Sequence, residues 1–244
     1  LGLVIYLAYL IDRAQDRQGD RELLLPACFV TGLMVVLILL ETDLGTALVL
    51  LAVAGLMLFL AGLRWRWFAL AAAGLLPAIW LLVVSVPYRR QRLLTFLDPE
   101  RDPLNHGYQA MQSLIAIGSG GVFGLGPGES LQKLHFLPYP HSDFIFAILA
   151  EELGMIGALG LLALFGVLVW RGVRAGLNAP DAFGSYLAWG ITGVLVVQAL
   201  IHASVAVSLM PTTGIPLPLI SYGGSSMLVS LVGVGLLLNV SQHG

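Results

Sequence analysis

The sequence predicts an all-α, polytopic membrane protein, and three observations carry that prediction. Of its 244 residues, 58% are hydrophobic and only 11% are charged, and the mean hydropathy is +0.90. Apolar runs close to the roughly 20 residues that cross a bilayer core recur along the chain. Arginines and tryptophans gather in alternate short loops between those runs. So few charges cannot give a polar surface on every side, whereas lipid tails satisfy an apolar exterior. Residues 1–244 read as a single integral membrane domain.

In order, the apolar segments cover residues 1–11, 23–40, 44–63, 67–86, 144–170, 183–209 and 222–240, about seven transmembrane helices. The first is too short to span, so it reads as the remainder of a helix begun upstream. It has no basic head or small-residue cleavage site and does not read as a signal peptide. If the helices alternate, Arg13, Arg17, Arg21, Arg64, Arg66, Arg171 and Arg174 share one side, which is then cytoplasmic. Trp65, Trp67 and Trp170 lie beside these arginines, where indole rings favour headgroups. The net charge of −2 lacks the basic footprint of a nucleic-acid binder, and the lone Cys28 has no partner for an intrachain disulfide.

The opposite, extracytoplasmic side holds a turn at 41–43, a segment at 210–221 and one long connection, residues 87–142. A connection of that length is far beyond the usual loop and points to function. It carries Arg89, Arg90, Arg92, Arg101 and Lys133 on the side where short-loop charge rules place few cations. Within it, residues 108–117 read as an amphipathic helix with Leu114, Ile115 and Ile117 toward lipid or protein. A glycine-dense stretch follows at 118–128. The interleaved Val122, Phe123 and Leu125 favour an ordered, re-entrant loop over a linker.

Asp143 stands where the fifth apolar segment begins. A carboxylate there is either an N-terminal cap accepting backbone N–H groups or a general base at headgroup level. Local sequence alone favours the cap. Glu151 and Glu152 fall about two turns further on, where a charge must be paired or face water. The axial rise of about 12 Å from Asp143 to Glu151 exceeds the roughly 5–9.5 Å between the carboxyl groups of a glycoside hydrolase. Structural pairing with polar groups on other helices is therefore the favoured reading for both glutamates, with a proton relay as the alternative. His135, His141 and Asp143 match no metal-ligand spacing, and Asp43 reads as a cap for the helix after it. Residues 211–226 combine three prolines, three glycines and several hydroxyls, either a rigid turn or a ligand-hugging segment. No inverted pair of broken helices marks a transporter.

Several motifs occur in order: Thr42-Asp43-Leu44-Gly45-Thr46, Gly107-Tyr108-Gln109, Gln132-Lys133-Leu134, His141-Ser142-Asp143-Phe144-Ile145-Phe146, Glu151-Glu152-Leu153-Gly154 and Pro216-Leu217-Pro218 through Ser225-Ser226. Together they make the chain resemble the SEDS family (shape, elongation, division and sporulation) over nearly its whole length. The resemblance implies a ten-helix fold of which this chain carries about the last seven. It also implies a peptidoglycan glycosyltransferase that joins lipid II units at the outer face of the bacterial cytoplasmic membrane. A class B penicillin-binding protein would be its transpeptidase partner, among the other membrane proteins of the divisome or elongasome.

The family's catalytic aspartate maps to Asp143, which favours the base. Arg89, Arg90, Arg92 and Lys133 become candidates to offset pyrophosphate charge. With Gln109, His141, Ser221 and Ser225 from the same motifs, they form the candidate substrate contacts. Asp43, Glu151 and Glu152 support the structure. No cofactor or resident metal is implied, beyond a possible divalent cation, Mg or Mn. Residues 128–134 and 211–226 are closer to the division branch, and 92–99 to the elongation branch. A lipid II flippase is the alternative from another class. Two departures stand out: Tyr139 replaces the family's glutamate before the His-Ser-Asp motif, and Glu41-Thr42-Asp43 replaces its Gln-Pro-Asp turn.

Overall fold

The apolar runs fold as helices whose ends are set by polar caps, proline and glycine. The computed structural model describes residues 1–15, 20–41, 43–98, 106–134 and 141–243. In chain order these form α1 (Gly2–Ala14), α2 (Asp20–Leu40), α3 (Leu44–Leu60), α4 (Trp65–Ser85), α5 (Pro87–Leu97), α6 (His106–Gly120), α7 (Ile145–Asn178), α8 (Ala182–Ala206) and α9 (Gly224–His243). A short 3-10 turn, Gln132–Leu134, precedes α7, and no strand occurs among the described residues. The expectations that rest on Arg17, Thr42, Arg101, His135 and Tyr139 fall outside the described residues.

Each of the seven apolar runs is helical. Five helices, α2, α4, α7, α8 and α9, are long and apolar enough to cross a membrane. Helix α3 has 17 residues, and its reach of about 26 Å at 1.5 Å per residue falls just short of a roughly 30 Å core. Pro26 lies inside α2 and Pro77 inside α4, a placement that membrane helices tolerate. Helix α4 buries none of its residues, as suits an apolar helix facing lipid.

Helix α5 lies where the sequence reads only as connection. Pro87 occupies its first turn, where the missing N–H would be unpaired anyway and the fixed φ suits the helix. Helix α6 covers the amphipathic 108–117 run and extends it at both ends, with Leu114 and Ile115 exposed.

The chain divides into two compact units, one of Leu1–Phe68, Phe165–Gln198 and Gly224–Gly244, the other of Ala69–Leu164 and Ala199–Gly223. In the first, α1, α2 and α3 pack on one another. Leu3, Val4, Leu7 and Ile11 of α1 and Val53 and Met57 of α3 are buried there. Asp20 accepts a hydrogen bond from Trp67 Nε1 at 3.1 Å and pairs with Arg64 at 3.3 Å. In the second unit α5 packs on α6, and the buried Ser113 hydroxyl donates to the Ala206 carbonyl at 2.7 Å.

Helix α7 is interrupted. Gly154 has φ 69° and ψ −169°, a backbone conformation essentially confined to glycine. The break removes the two helical bonds that would run from the N–H groups of Met155 and Ile156 to the carbonyls of Glu151 and Glu152. The glycine-dense loop replaces them. Leu125 N donates to Glu151 O and Gly126 N to Glu152 O, both at 3.0 Å. In return Met155 N donates to Gly121 O at 2.9 Å and Ile156 N to Val122 O at 3.3 Å. All four freed backbone groups are paired, which a helix in lipid requires because each orphan costs several kcal/mol. A Cβ at Gly124 would collide with the Glu152 carbonyl, and one at Gly154 with the Gly124 backbone. The loop is therefore ordered and seated on α7.

Candidate active site

Asp143 is half-buried in the turn that leads into α7, two residues before Ile145. A capping role asks its carboxylate to accept a backbone N–H from the first helical turn. Two other aspartates do this: Asp43 accepts from Thr46 N at 2.9 Å and Asp181 from Gly184 N at 2.8 Å. At the start of α7, Ala147 N and Ile148 N instead donate to the Phe144 carbonyl, at 2.9 and 3.2 Å. Among the described residues the Asp143 carboxylate makes no hydrogen bond or ion pair.

Its neighbour is the proline-rich segment after α8. Gly214 is left-handed, φ 72°, and a Cβ on it would lie 3.9 Å from Asp143 Oδ2. The segment is stapled to the turn before Asp143. The Ser221 hydroxyl donates to the Ser142 carbonyl and accepts from Leu217 N, each at 2.8 Å, and Tyr222 N donates to the His141 carbonyl at 2.9 Å. Ser221, expected as a substrate contact, is buried with its hydroxyl engaged in these two bonds. His141 contributes its carbonyl to the staple, and the residue is exposed.

Arg92 of α5 reaches the same segment, with NH1 donating to the Thr212 carbonyl at 3.0 Å. Arg92, Thr95, Phe96, Ser208, Met210 and Thr212 are among the residues lining a small open cleft. Arg89 is buried on α5, whereas Arg90 is exposed. One stretch of backbone, residues 212–214, thus adjoins a guanidinium at one end and the Asp143 carboxylate at the other.

Lys133, Glu151 and Glu152 form a separate cluster that anchors the 87–142 connection. Glu151, 1% exposed, accepts from the Ser130 hydroxyl, from Leu131 N at 3.2 Å and from the Ser119 hydroxyl at 3.5 Å. Lys133 Nζ lies 2.7 Å from Glu152 Oε1. The glutamates are paired, but by groups of the connection rather than of the other spanning helices, where partners were expected. Lys133, expected near pyrophosphate, spends its charge on Glu152. Gln109 is half-buried on α6, and Ser225 and Asp43 belong to the first unit. Among the described residues no three of His, Cys, Asp and Glu converge on one point.

His202 escaped the sequence reading. It is 1% exposed on α8, its Nδ1–H donates to the Ile215 carbonyl at 2.8 Å, and it lies within electrostatic range of Asp143. The available signal was a lone titratable residue inside an apolar span.

Fold and site together define a multi-pass helical membrane protein that holds, at the start of a spanning helix, a carboxylate with no partner among the described residues. A family model described as cell cycle protein, covering FtsW, RodA and SpoVE, matches residues 1–244, and the chain belongs to that family. It is 49% identical, over 98% of its length, to a probable peptidoglycan glycosyltransferase FtsW from Alkalilimnicola ehrlichii, of which it covers 61%. It is 45% identical to the protein of that name from Geobacter metallireducens, over 100% of this chain and 65% of the relative. Stage V sporulation protein E of Bacillus subtilis is 43% identical, over 100% of this chain and 67% of the relative. Among solved structures, a chain of a peptidoglycan synthase complex coordinating polymerization and crosslinking superposes with TM-score 0.77 at 36% identity, covering 99% of this chain and 67% of that one. The rod shape determining protein RodA of Thermus thermophilus gives TM-score 0.65 at 33% identity, covering 99% of this chain and 62% of that one. The chain thus spans about 61–67% of the length of these relatives.

Proposed function

We propose that this protein is a peptidoglycan glycosyltransferase that polymerises lipid II at the outer face of the bacterial cytoplasmic membrane, in septal wall synthesis. The observation that carries the reading is the state of Asp143. Unlike Asp43 and Asp181, it caps no helix, and its carboxylate faces Gly214 without a hydrogen-bond partner among the described residues. In the reaction, Asp143 accepts the proton of the acceptor sugar's 4-hydroxyl. That oxygen bonds to the anomeric carbon of the donor while the bond to the undecaprenyl pyrophosphate breaks, and the electron pair leaves with the pyrophosphate. Arg92, with Arg89 and Arg90 on the same helix, supplies positive charge for that leaving group.

The FtsW-named relatives and the likeness of residues 128–134 and 211–226 to the division branch support the septal role over elongation. Likeness to a chain from a complex that couples polymerization and crosslinking supports a crosslinking partner, which we assign to a class B penicillin-binding protein. The flippase alternative asks Glu151 and Glu152 to face a water path. Their engagement with Ser130, Leu131 and Lys133 supports polymerisation instead.

The test is lipid II polymerisation by purified protein with its partner, following glycan strands on a gel. Wild type makes strands and folded Asp143→Asn makes none. Equal strands from both would remove the base assignment.

A further inference from the structure

The Asp143 carboxylate has a fixed neighbour in Gly214, yet residues 211–217 form an extended segment with no helix or strand to hold them. What holds the stretch beside Gly214 is His202, which bonds the carbonyl of the Ile215–Pro216 peptide. The imidazole is fully buried, and its Nδ1 meets a carbonyl, which only accepts, so Nδ1 carries the proton. Nε2 has no hydrogen-bond partner among the described residues. A buried imidazole half-satisfied in this way carries a desolvation penalty that a leucine would not. Its one bond fixes the carbonyl adjacent to the glycine that faces the reacting carboxylate.

We propose that His202 is a positioning residue for Asp143: by anchoring the Ile215 carbonyl it sets Gly214 against the carboxylate and so fixes the floor on which the acceptor hydroxyl meets its base. The proposal rests on the reading of Asp143 as that base. His202 touches no substrate. It acts through residues 214–215, and the staple at Ser221 and Tyr222 fixes the far end of the same segment. Misplacing a base by about 1 Å costs on the order of 100-fold in rate, so losing the anchor lowers kcat rather than substrate affinity.

The experiment compares His202→Leu and His202→Asn in polymerisation by the full-length protein with its partner, beside Asp143→Asn. Leucine fills the buried site without a donor. Asparagine keeps an N–H at the level of Nδ1 but leaves space and an unmatched oxygen. A merely structural role makes activity follow stability, with leucine the better substitute. Positioning predicts the reverse order: His202→Leu loses about 10- to 100-fold in kcat with KM for lipid II within about threefold, while His202→Asn stays near wild type despite a lower melting temperature. His202→Met serves as a second apolar variant should the leucine protein fail to fold. An apolar variant with wild-type kcat, or an asparagine variant as slow as the apolar one, overturns the proposal. If Asp143→Asn is inactive in that case, the base reading stands alone. Wild-type rates from Asp143→Asn overturn both.

Discussion

Lys133 and Glu152 meet at 2.7 Å, so the 3-10 turn Gln132–Leu134 of the 87–142 connection is bound by charge to α7. The side chains are 25% and 19% exposed, which places the pair between a solvent-screened and a buried ion pair. Reversing one charge should lower stability by about 1–2 kcal/mol. The swap of Lys133→Glu with Glu152→Lys should recover most of that loss, as a double-mutant cycle in thermal unfolding would show. If Lys133 instead serves pyrophosphate, the swapped protein is stable but inactive.

Glu151 has a larger stake because it is buried. Glu151→Leu leaves the Ser130 hydroxyl and Leu131 N–H without their acceptor, at about 1–3 kcal/mol for each group that stays dry. The expected result is a lower melting temperature and faster proteolysis between Gly126 and Lys133. Unchanged cleavage would show that the carboxylate does not anchor the loop.

Gly154 and Gly124 should be intolerant. Alanine at either collides with backbone and must adopt a positive φ, an expected loss of about 3 kcal/mol or more. Gly160, with open space around its Cβ direction, is the control. Gly160→Ala should elute as monodisperse protein by size exclusion, and Gly154→Ala should not.

Asp43 and Asp143 should separate stability from catalysis. Asp43→Ala loses its bond to Thr46 N, which lowers stability by about 1 kcal/mol with strands still formed. Asp143→Asn should unfold at the wild-type temperature yet form none. Melting curves and strand gels on the same preparations check both.

The spans were legible because apolar length and flanking arginines are local signals. Helix α5 was not, because Pro87-Tyr88-Arg89-Arg90-Gln91-Arg92 is short and charged and gains its order by packing on α6. Glycine density announced an ordered loop, but the four bonds to α7 join residues roughly thirty apart, which no local pattern reports. Asp143 was ambiguous for a related reason. A carboxylate at a helix start suits both cap and base, and what speaks against the cap is the Phe144 carbonyl, which takes the N–H groups of Ala147 and Ile148. His202 went unread because its partner, the backbone beside Gly214, is brought to it only by the fold.

The broken helix has a mechanical consequence. Four backbone bonds weld residues 121–126 to α7 on both sides of Gly154, so the loop and the helix shift together. Phe123, 83% exposed within that weld, is therefore carried on a fixed backbone. The same bonds tie the loop to the short stretch of α7 between Ile145 and Gly154, so loop and helix head form one mechanical piece with a glycine at its joint.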